Sequence, residues 1–202
     1  HPWEHNEVAP VIGSALGTNV PIIALHLTRP SISIPDRKAL GIASYFDAGR
    51  GAYLIRGFDK HSDPKGTIIV RGTGCTENLI KLLDGINNEG PNVRIVAAIS
   101  WGLFQLQTQE YRESILPVRE MHDSMIITNS SLKLMYNWIA NPIVKEYSLS
   151  SDWDNRWRTG GRVEEILEEA HLSCVWLKNG IERFVSERTN RLGRLRKIIP
   201  AY

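Results

Sequence analysis

The sequence predicts an α/β fold in which a mainly parallel sheet is covered by helices on both faces. Three short apolar runs rich in β-branched residues predict buried strands, at residues 21–27, 66–70 and 93–99. Segments with apolar residues at helical spacing follow the second and the third run. Alternation of strands with helices indicates a parallel sheet, and the fold class is therefore α/β.

The remaining elements follow from the same patterns in chain order. A helix-like segment at about residues 4–16 precedes the first strand. Two further strands are predicted at residues 52–56 and 125–128, with a weaker candidate at 143–148. Helices are predicted at residues 76–88, 101–116 and 132–139. After Ser150, two apolar stripes, at 163–170 and 181–185, predict helices that close the domain.

Residues 30–49 interrupt the alternation of strands and helices. The segment contains Pro30, Pro35, Gly41 and Gly49 among scattered apolar side chains, which is typical of an extended connector. We place a domain boundary there. The residues before it supply one helix and one strand, which is too little to bury a core. We therefore expect them to dock on the rest of a missing domain or on a neighbouring subunit.

Composition and charge exclude several classes of protein. Apolar residues make up 42% and charged residues 23% of the 202 residues, close to the norm for soluble globular proteins. No apolar run reaches the ~18–20 residues that span a bilayer. The net charge of +2 is too small to indicate nucleic-acid binding. An acidic stretch at 164–169 and a basic one at 188–197 are interpreted as solvated helix faces.

The first residues and the two cysteines bear on the cellular context of the protein. The chain begins without a methionine and without a signal or transit sequence, so we expect it to begin inside a longer protein or after processing. Cys75 and Cys174 lie far apart with no partner pattern, which predicts neither a disulfide nor a zinc site. A reducing, cytoplasmic setting is the simplest interpretation.

A glycine-rich turn between a buried strand and a helix is the first candidate site. Gly72, Thr73 and Gly74 form a candidate anion-binding turn, because free backbone N–H groups at a helix start can hold an anion. The alternative, a turn that needs glycine only for steric reasons, is the more favoured interpretation. Cys75 beside the turn has no assignable histidine partner, so a packed residue is expected there and not a nucleophile.

Arg29 is the second candidate. It follows the predicted strand at residues 21–27 and would therefore lie at the carboxyl end of that strand, where open α/β sheets bind ligands. An arginine also grips a phosphate through a planar fork of two donors. A surface salt bridge is an equally good interpretation from position alone.

Several strings of residues then resemble one family, the transketolases. Residues 72–77 (GTGCTE), with 90–96 (GPNVRIV) after them, resemble the opening strand, turn, helix and strand of the transketolase carboxy-terminal domain. Residues 109–117 (QEYRESILP) are similar to the family signature Q-x-x-Y-R-E-S-V-L-P almost letter for letter, with one position fewer between the glutamine and the tyrosine. Residues 21–29 resemble the last strand of the family's pyrimidine-binding domain. The likeness covers about residues 20–120, and Pro30 replaces the glutamine that the family has after the arginine.

The resemblance implies a fold and a division of the chain. The fold would be the mixed, mainly parallel five-stranded sheet of the transketolase carboxy-terminal domain, with helices on both faces. Residues 1–29 would be the end of the pyrimidine-binding domain, 30–49 the linker and 50–202 the carboxy-terminal domain. The region after Ser150 lacks the family's F-G-x-S-A-P turn, which indicates a divergent branch.

The resemblance also implies a reaction. Transketolases transfer a two-carbon ketol unit between sugar phosphates of carbohydrate metabolism, in the pentose phosphate pathway, with thiamine diphosphate and Mg²⁺, and they work as dimers. The family's cofactor motifs are absent from this sequence, so the 202 residues alone are expected to bind no thiamine diphosphate and to be inactive. Arg29 alone matches a family active-site position, that of the arginine that binds the substrate phosphate.

Two other functions stay open at this stage. The chain could be a stand-alone α/β module for binding or assembly, using the turn at Gly72 or a sheet edge. It could also be one subunit of a split enzyme whose cofactor domains lie on another polypeptide. The length of the complete reading frame separates these alternatives from a single-chain transketolase.

Overall fold

The computed structural model describes residues 1–88, 90–158 and 160–199. In these residues five strands form one sheet in the order β1-β3-β2-β4-β5. The strands are β1 (Ala52–Arg56), β2 (Thr67–Arg71), β3 (Arg94–Ala98), β4 (Ser124–Thr128) and β5 (Leu149–Ser150). β1 runs antiparallel to β3, and the other three pairings are parallel. The predicted mixed, mainly parallel five-stranded sheet is thus confirmed.

Helices cover both faces of this sheet. The α-helices are α1 (Val8–Leu16), α2 (Thr73–Lys81), α3 (Leu83–Asn88), α4 (Trp101–Gln105), α5 (Gln109–Ile115), α6 (Val118–His122), α7 (Pro142–Tyr147), α8 (Val163–Glu169), α9 (Cys174–Ser186) and α10 (Arg188–Ile198). Shorter 3₁₀ helices lie at His5–Glu7, Tyr45–Arg50 and Leu132–Trp138. The two stripes after Ser150 are helices as predicted, whereas the expected helices at 76–88 and 101–116 are each divided in two.

Alternation along the strands divides the buried side chains between two apolar layers. Ile68 and Val70 of β2 face one layer, and Ile69 faces the other, because successive side chains of a strand point to opposite faces. The first layer also contains Trp3 and Leu195 from opposite ends of the chain. One core therefore extends over nearly the whole described sequence.

The strand predicted at residues 143–148 is wrong, because this segment is the helix α7. The Asn141 side-chain oxygen accepts hydrogen bonds from the backbone N–H groups of Ile143 (2.9 Å) and Val144 (3.1 Å). Pro142 occupies the first turn, where its missing N–H costs nothing. These two signals start a helix, and strand β5 is only the two residues that follow it.

The strand predicted at residues 21–27 is also not formed. This segment has no regular secondary structure, and apolar side chains within it are exposed, with Ile22 at 82% and Leu27 at 57%. A strand needs a neighbour for its backbone N–H and C=O groups, and the five-stranded sheet does not include this segment. Its composition is that of a buried strand, but its pairing partner is not within this sheet.

The amino-terminal residues pack on the sheet domain of this same chain. Trp3 and Val11 are buried in the core, and the 3₁₀ helix Tyr45–Arg50 packs against α1. The approach is close at Gly49, where an added Cβ would lie 2.9 Å from the Pro10 carbonyl oxygen. The end of the predicted connector is therefore a packed helix and not an extended segment.

The basic stretch at 188–197 is not simply a solvated face. Arg191 is fully buried, and its Nε and Nη2 donate to Asp123 Oδ1 at 2.9 and 2.7 Å. Its guanidinium also lies 3.6 Å from the centre of the Phe184 ring. The interpretation as a solvated face is wrong at this position, because Arg191 joins helix α10 to Asp123, directly before β4.

Candidate functional site

The order of the strands creates a natural place for a ligand between β2 and β4. The chain passes from β2 to β3 on one side and then returns to β4 on the other side. At such a switch point the connections leave in opposite directions, and a crevice opens at the carboxyl ends of the two strands. Gly72 follows β2 and Asn129 follows β4 at this edge.

A cleft of about 700 Å³ lies at this edge of the sheet. Its lining combines residues after β2, residues after β4 and the segment that contains Arg29. The lining residues are His1, Pro2, His26, Leu27, Thr28, Arg29, Pro30, Gly72, Thr73, Asn129 and Ser130. The structure thus brings Arg29 together with Gly72 and Thr73, which the sequence argument treated as two separate candidate sites.

Gly72 has a backbone that requires glycine. Its φ is +102°, and an added Cβ would lie 1.6 Å from the Asn129 side-chain oxygen. The Gly72 carbonyl accepts from the Thr76 hydroxyl at 2.6 Å and from the Thr76 N–H at 3.1 Å. These bonds fix the first turn of α2, whose leading backbone N–H groups have no partner within the helix.

Gly74 does not share the cleft with the other two residues of the turn. An added Cβ there would lie 3.0 Å from Leu167 Cδ2 of α8, so this glycine lets α8 approach α2 closely. Gly74 belongs instead to a neighbouring, more apolar cleft of about 640 Å³ that also contains Trp157 and Leu167. The steric interpretation of glycine therefore applies to Gly74.

Arg29 is exposed and lies in the segment that lacks regular structure. It forms no ion pair with any carboxylate of the described residues. Residues 21–27 do not join the five-stranded sheet, so Arg29 does not lie at the carboxyl end of one of its strands. The irregular segment that contains Arg29 runs along the cleft and brings this residue to the carboxyl ends of β2 and β4.

Cys75 behaves as a packed residue, as the sequence predicted. Its side chain is fully buried, and burial raises the pKa of its thiol to about 12. The sulfur lies 3.1 Å from the Arg71 carbonyl oxygen and 3.5 Å from the Asn129 side-chain oxygen. A thiol that stays protonated at neutral pH is a poor nucleophile. Cys75 and Cys174 are both free.

Sequence reasoning missed Asn129 and Ser130 in the cleft. They directly follow β4, which the sequence predicts correctly. Ligands of open α/β sheets bind at the carboxyl ends of the strands, and the same rule that indicates the end of β2 also indicates these two residues. Sequence reasoning also missed Arg71 at the end of β2, which lines a second, smaller cleft between α1 and the 3₁₀ helix Leu132–Trp138.

The described part of the chain contains no group of three or more histidine, cysteine, aspartate or glutamate side chains arranged to hold a metal ion. Among the same residues, no helix has the length and apolar character needed to cross a membrane.

Comparison with known proteins identifies the central part of the chain. A family described as "Transketolase-like TK C-terminal domain" matches residues 51–147. The chloroplastic transketolase of Zea mays is 35% identical over 112 residues, covering 54% of this chain and 16% of that protein. Transketolase 10 of Craterostigma plantagineum is 37% identical over 93 residues, covering 44% of this chain and 14% of that protein.

The fold extends further than the recognisable sequence. A solved transketolase from Pichia stipitis superposes with a TM-score of 0.70 at 19% identity, covering 94% of this chain and 25% of the other. At this identity the likeness concerns the fold. The aligned part spans only 16% of the length of the Zea mays transketolase and 14% of that of the Craterostigma plantagineum transketolase. Residues 51–147 therefore match the transketolase-like carboxy-terminal domain, and the central part of the chain is similar in sequence to transketolases.

Proposed function

We propose that this chain is the carboxy-terminal part of a transketolase that transfers a two-carbon ketol unit between sugar phosphates. In this proposal the chain contributes structure, assembly and one contact to the substrate phosphate. The family match over residues 51–147 supports the class of enzyme. Related folds are seen in Pichia stipitis transketolases solved with fructose-6-phosphate and sedoheptulose-7-phosphate, which supports phosphorylated sugars as the substrates.

The observation that carries the phosphate contact is the shared cleft. Arg29 lines it together with Gly72 and Thr73, at the carboxyl end of β2. The Arg29 guanidinium supplies a charged fork of donors, and the start of α2 supplies backbone N–H groups with the positive end of the helix dipole. In the proposal the phosphate lies between these two donors, while Asn129 and Ser130 provide further polar contacts at the end of β4.

The role of these residues is to bind and to orient. A phosphate held at one end of the sugar fixes the distance from that end to the reacting carbon, so part of the entropy cost of the reaction is met on binding. No carboxylate of the described residues forms an ion pair with Arg29, and its charge is therefore available to a ligand.

The cofactor belongs elsewhere in the proposed enzyme. Thiamine diphosphate supplies the carbanion chemistry of the family, and Mg²⁺ holds its diphosphate. None of the family's cofactor motifs occurs in these 202 residues. We accordingly assign the cofactor to protein segments outside this chain and a dimeric arrangement to the whole enzyme. The amino-terminal residues 1–29 are assigned to the pyrimidine-binding domain, with residues 21–27 pairing in that domain's sheet.

Kinetics of the whole protein test the phosphate contact. Arg29→Ala should lower kcat/KM for phosphorylated ketoses roughly ten- to a hundredfold, because a charge-assisted bond contributes about 1.5–3 kcal/mol. Arg29→Lys should recover only part of this loss, since an ammonium lacks the two-donor fork. Unphosphorylated ketoses should be turned over at nearly the same rate by parent and variants.

Arg196→Ala is the matched control, because Arg196 is exposed on α10 and lies outside the cleft. It should leave all of these rates unchanged. An equal loss for phosphorylated and unphosphorylated ketoses with Arg29→Ala would show that Arg29 is structural. Absence of ketol transfer by the parent protein would contradict the proposed function itself, so the two failures are distinguishable.

A further inference from the structure

Arg71, the last residue of β2, carries a charge that the fold does not neutralise. Its Nη1 donates to the Leu134 carbonyl oxygen at 2.9 Å and lies 3.3 Å from the Met135 sulfur. Its Nε is shielded from solvent and has no hydrogen-bond partner. No carboxylate in the described ranges pairs with it, and burial alone lowers the pKa of its guanidinium to about 10.

This guanidinium lines a cleft of about 320 Å³, separate from the one that holds Arg29. Most of the residues that line the smaller cleft are apolar, and they come from α1, the segment before Arg29, α4 and the 3₁₀ helix Leu132–Trp138. Apolar side chains in these walls include Val11, Ile12, Ile23, Leu25, Leu103 and Trp138. Ser100 and Asn137 add polar groups to the same walls. His1 and His26, whose rings stack at 4.2 Å, line both clefts and stand between them.

An arginine without a counter-charge in such a place favours an anion. Removal of a cation from water is costly unless an opposite charge and hydrogen bonds compensate for it. A carboxylate matches the planar fork of a guanidinium with two parallel hydrogen bonds. Burial and the charge of Arg71 lower the pKa of the His1 amino group in the same cleft to about 6, so Arg71 is the main cation there near pH 7. A single negative charge balances this cation, whereas a phosphate dianion would leave an excess of negative charge.

We propose that Arg71 anchors a small monocarboxylate whose apolar part lies between α1 and the 3₁₀ helix Leu132–Trp138. The cleft volume is at the lower end of the range of about 300–1,000 Å³ that small-molecule sites occupy, which restricts the ligand to a short branched or single-ring acid. Ser100 and Asn137 supply the polar contacts beside the guanidinium. This site is independent of the phosphate contact proposed for Arg29.

Calorimetry and thermal unfolding of the 202-residue chain with 3-methylbutyrate and benzoate test the proposal. Both acids should bind saturably and raise Tm, while the neutral isostere 3-methylbutyramide should do neither. Arg71→Met should weaken acid binding at least about tenfold, and Arg71→Lys should weaken it less, because the charge remains without the fork. Because the amide is tested on the parent protein, the result does not depend on the folding of a variant.

Arg94→Met is the matched control. Arg94 is also a strand arginine whose Nη1 donates to backbone carbonyls, but it begins β3 at the opposite edge of the sheet. This variant should bind the acids as the parent does. Equal binding of acid and amide, or unchanged binding by Arg71→Met, would overturn the proposal. Binding by the 202-residue chain but not by the longer protein would also overturn it, since an acidic side chain from outside the chain would then occupy the cleft.

Discussion

Arg37 Nη2 lies 2.6 Å from Glu7 Oε1 and forms with it a buried ion pair between the connector and the start of the chain. The same nitrogen donates to Glu4 Oε1 at 2.9 Å. The Tyr53 hydroxyl donates to Glu7 Oε1 at 2.5 Å, and the Trp3 indole N–H donates to the Tyr53 oxygen at 2.6 Å. Three distant segments of the sequence are thus joined by one buried polar network.

Arg37→Met should destabilise the protein by about 3–5 kcal/mol, because it leaves two buried carboxylates without their counter-charge. Urea unfolding followed by fluorescence measures this loss. The control is Arg194→Met, whose partner Glu146 is 40% exposed, and which should cost less than about 1 kcal/mol. Similar losses in the two variants would contradict the importance of burial.

Asp123→Asn should also destabilise by about 3–5 kcal/mol, since the fully buried Arg191 would lose its charge partner. Arg188 contacts the other oxygen of Asp123 and is 26% exposed, so water can replace part of that contact. Arg188→Met should therefore cost clearly less than Asp123→Asn. Denaturant midpoints of the two variants provide the comparison, and a larger loss for Arg188→Met would count against this account.

Thiol labelling should distinguish the two cysteines. Cys75 is fully buried with its pKa raised to about 12, whereas Cys174 is half-buried at the start of α9. We expect one thiol per native chain to react with an aromatic disulfide reagent near about pH 8, and the second to react only after unfolding. Cys174→Ser should abolish the fast reaction. Rapid labelling of Cys75 in the native variant would refute the packing described above.

Asp152 should make stability sensitive to acid. Burial alone would raise the pKa of its carboxyl, but hydrogen bonds from Ser131, Ser150 and the Leu132 N–H outweigh burial and hold the pKa below 3.8. A lowered pKa in the folded state contributes stability above the unfolded value of 3.8, and this contribution is lost as pH falls through the folded pKa.

The free energy of unfolding of Asp152→Asn should consequently fall less than that of the parent between about pH 6 and about pH 2. Urea titrations at several pH values measure the two slopes. Glu164→Gln, at an exposed position on α8, is the control and should retain the acid sensitivity of the parent. Parallel pH profiles for parent and Asp152→Asn would contradict the role of the three hydrogen bonds.

The sequence was informative where a local pattern determines structure. Strands β2, β3 and β4 are short apolar runs buried on both faces, and such runs have few alternatives once helices flank them. The turn at Gly72 was also recognisable, because glycine between a strand and a helix is a local signal.

The remaining features depend on contacts that are distant in the sequence. Residues 21–27 have the composition of a buried strand, but only the presence of a neighbour decides whether a strand forms. Arg191 looks like the other arginines of its stretch until the fold brings Asp123, 68 positions earlier, against it. Likewise, no pattern in the sequence indicates that Arg29 and Gly72 line one cleft, since they are 43 positions apart.

The hydrophobic core that joins Trp3 to Leu195 is larger than the segment that the family match covers. The family match covers residues 51–147, but this segment excludes Trp3, Val11, Phe184 and Leu195, which complete the layer on one face of the sheet. A polypeptide cut at the boundaries of the match would expose that face of β2 to water. Exchange of the matched segment between relatives would therefore require exchange of the flanking residues that pack on it as well.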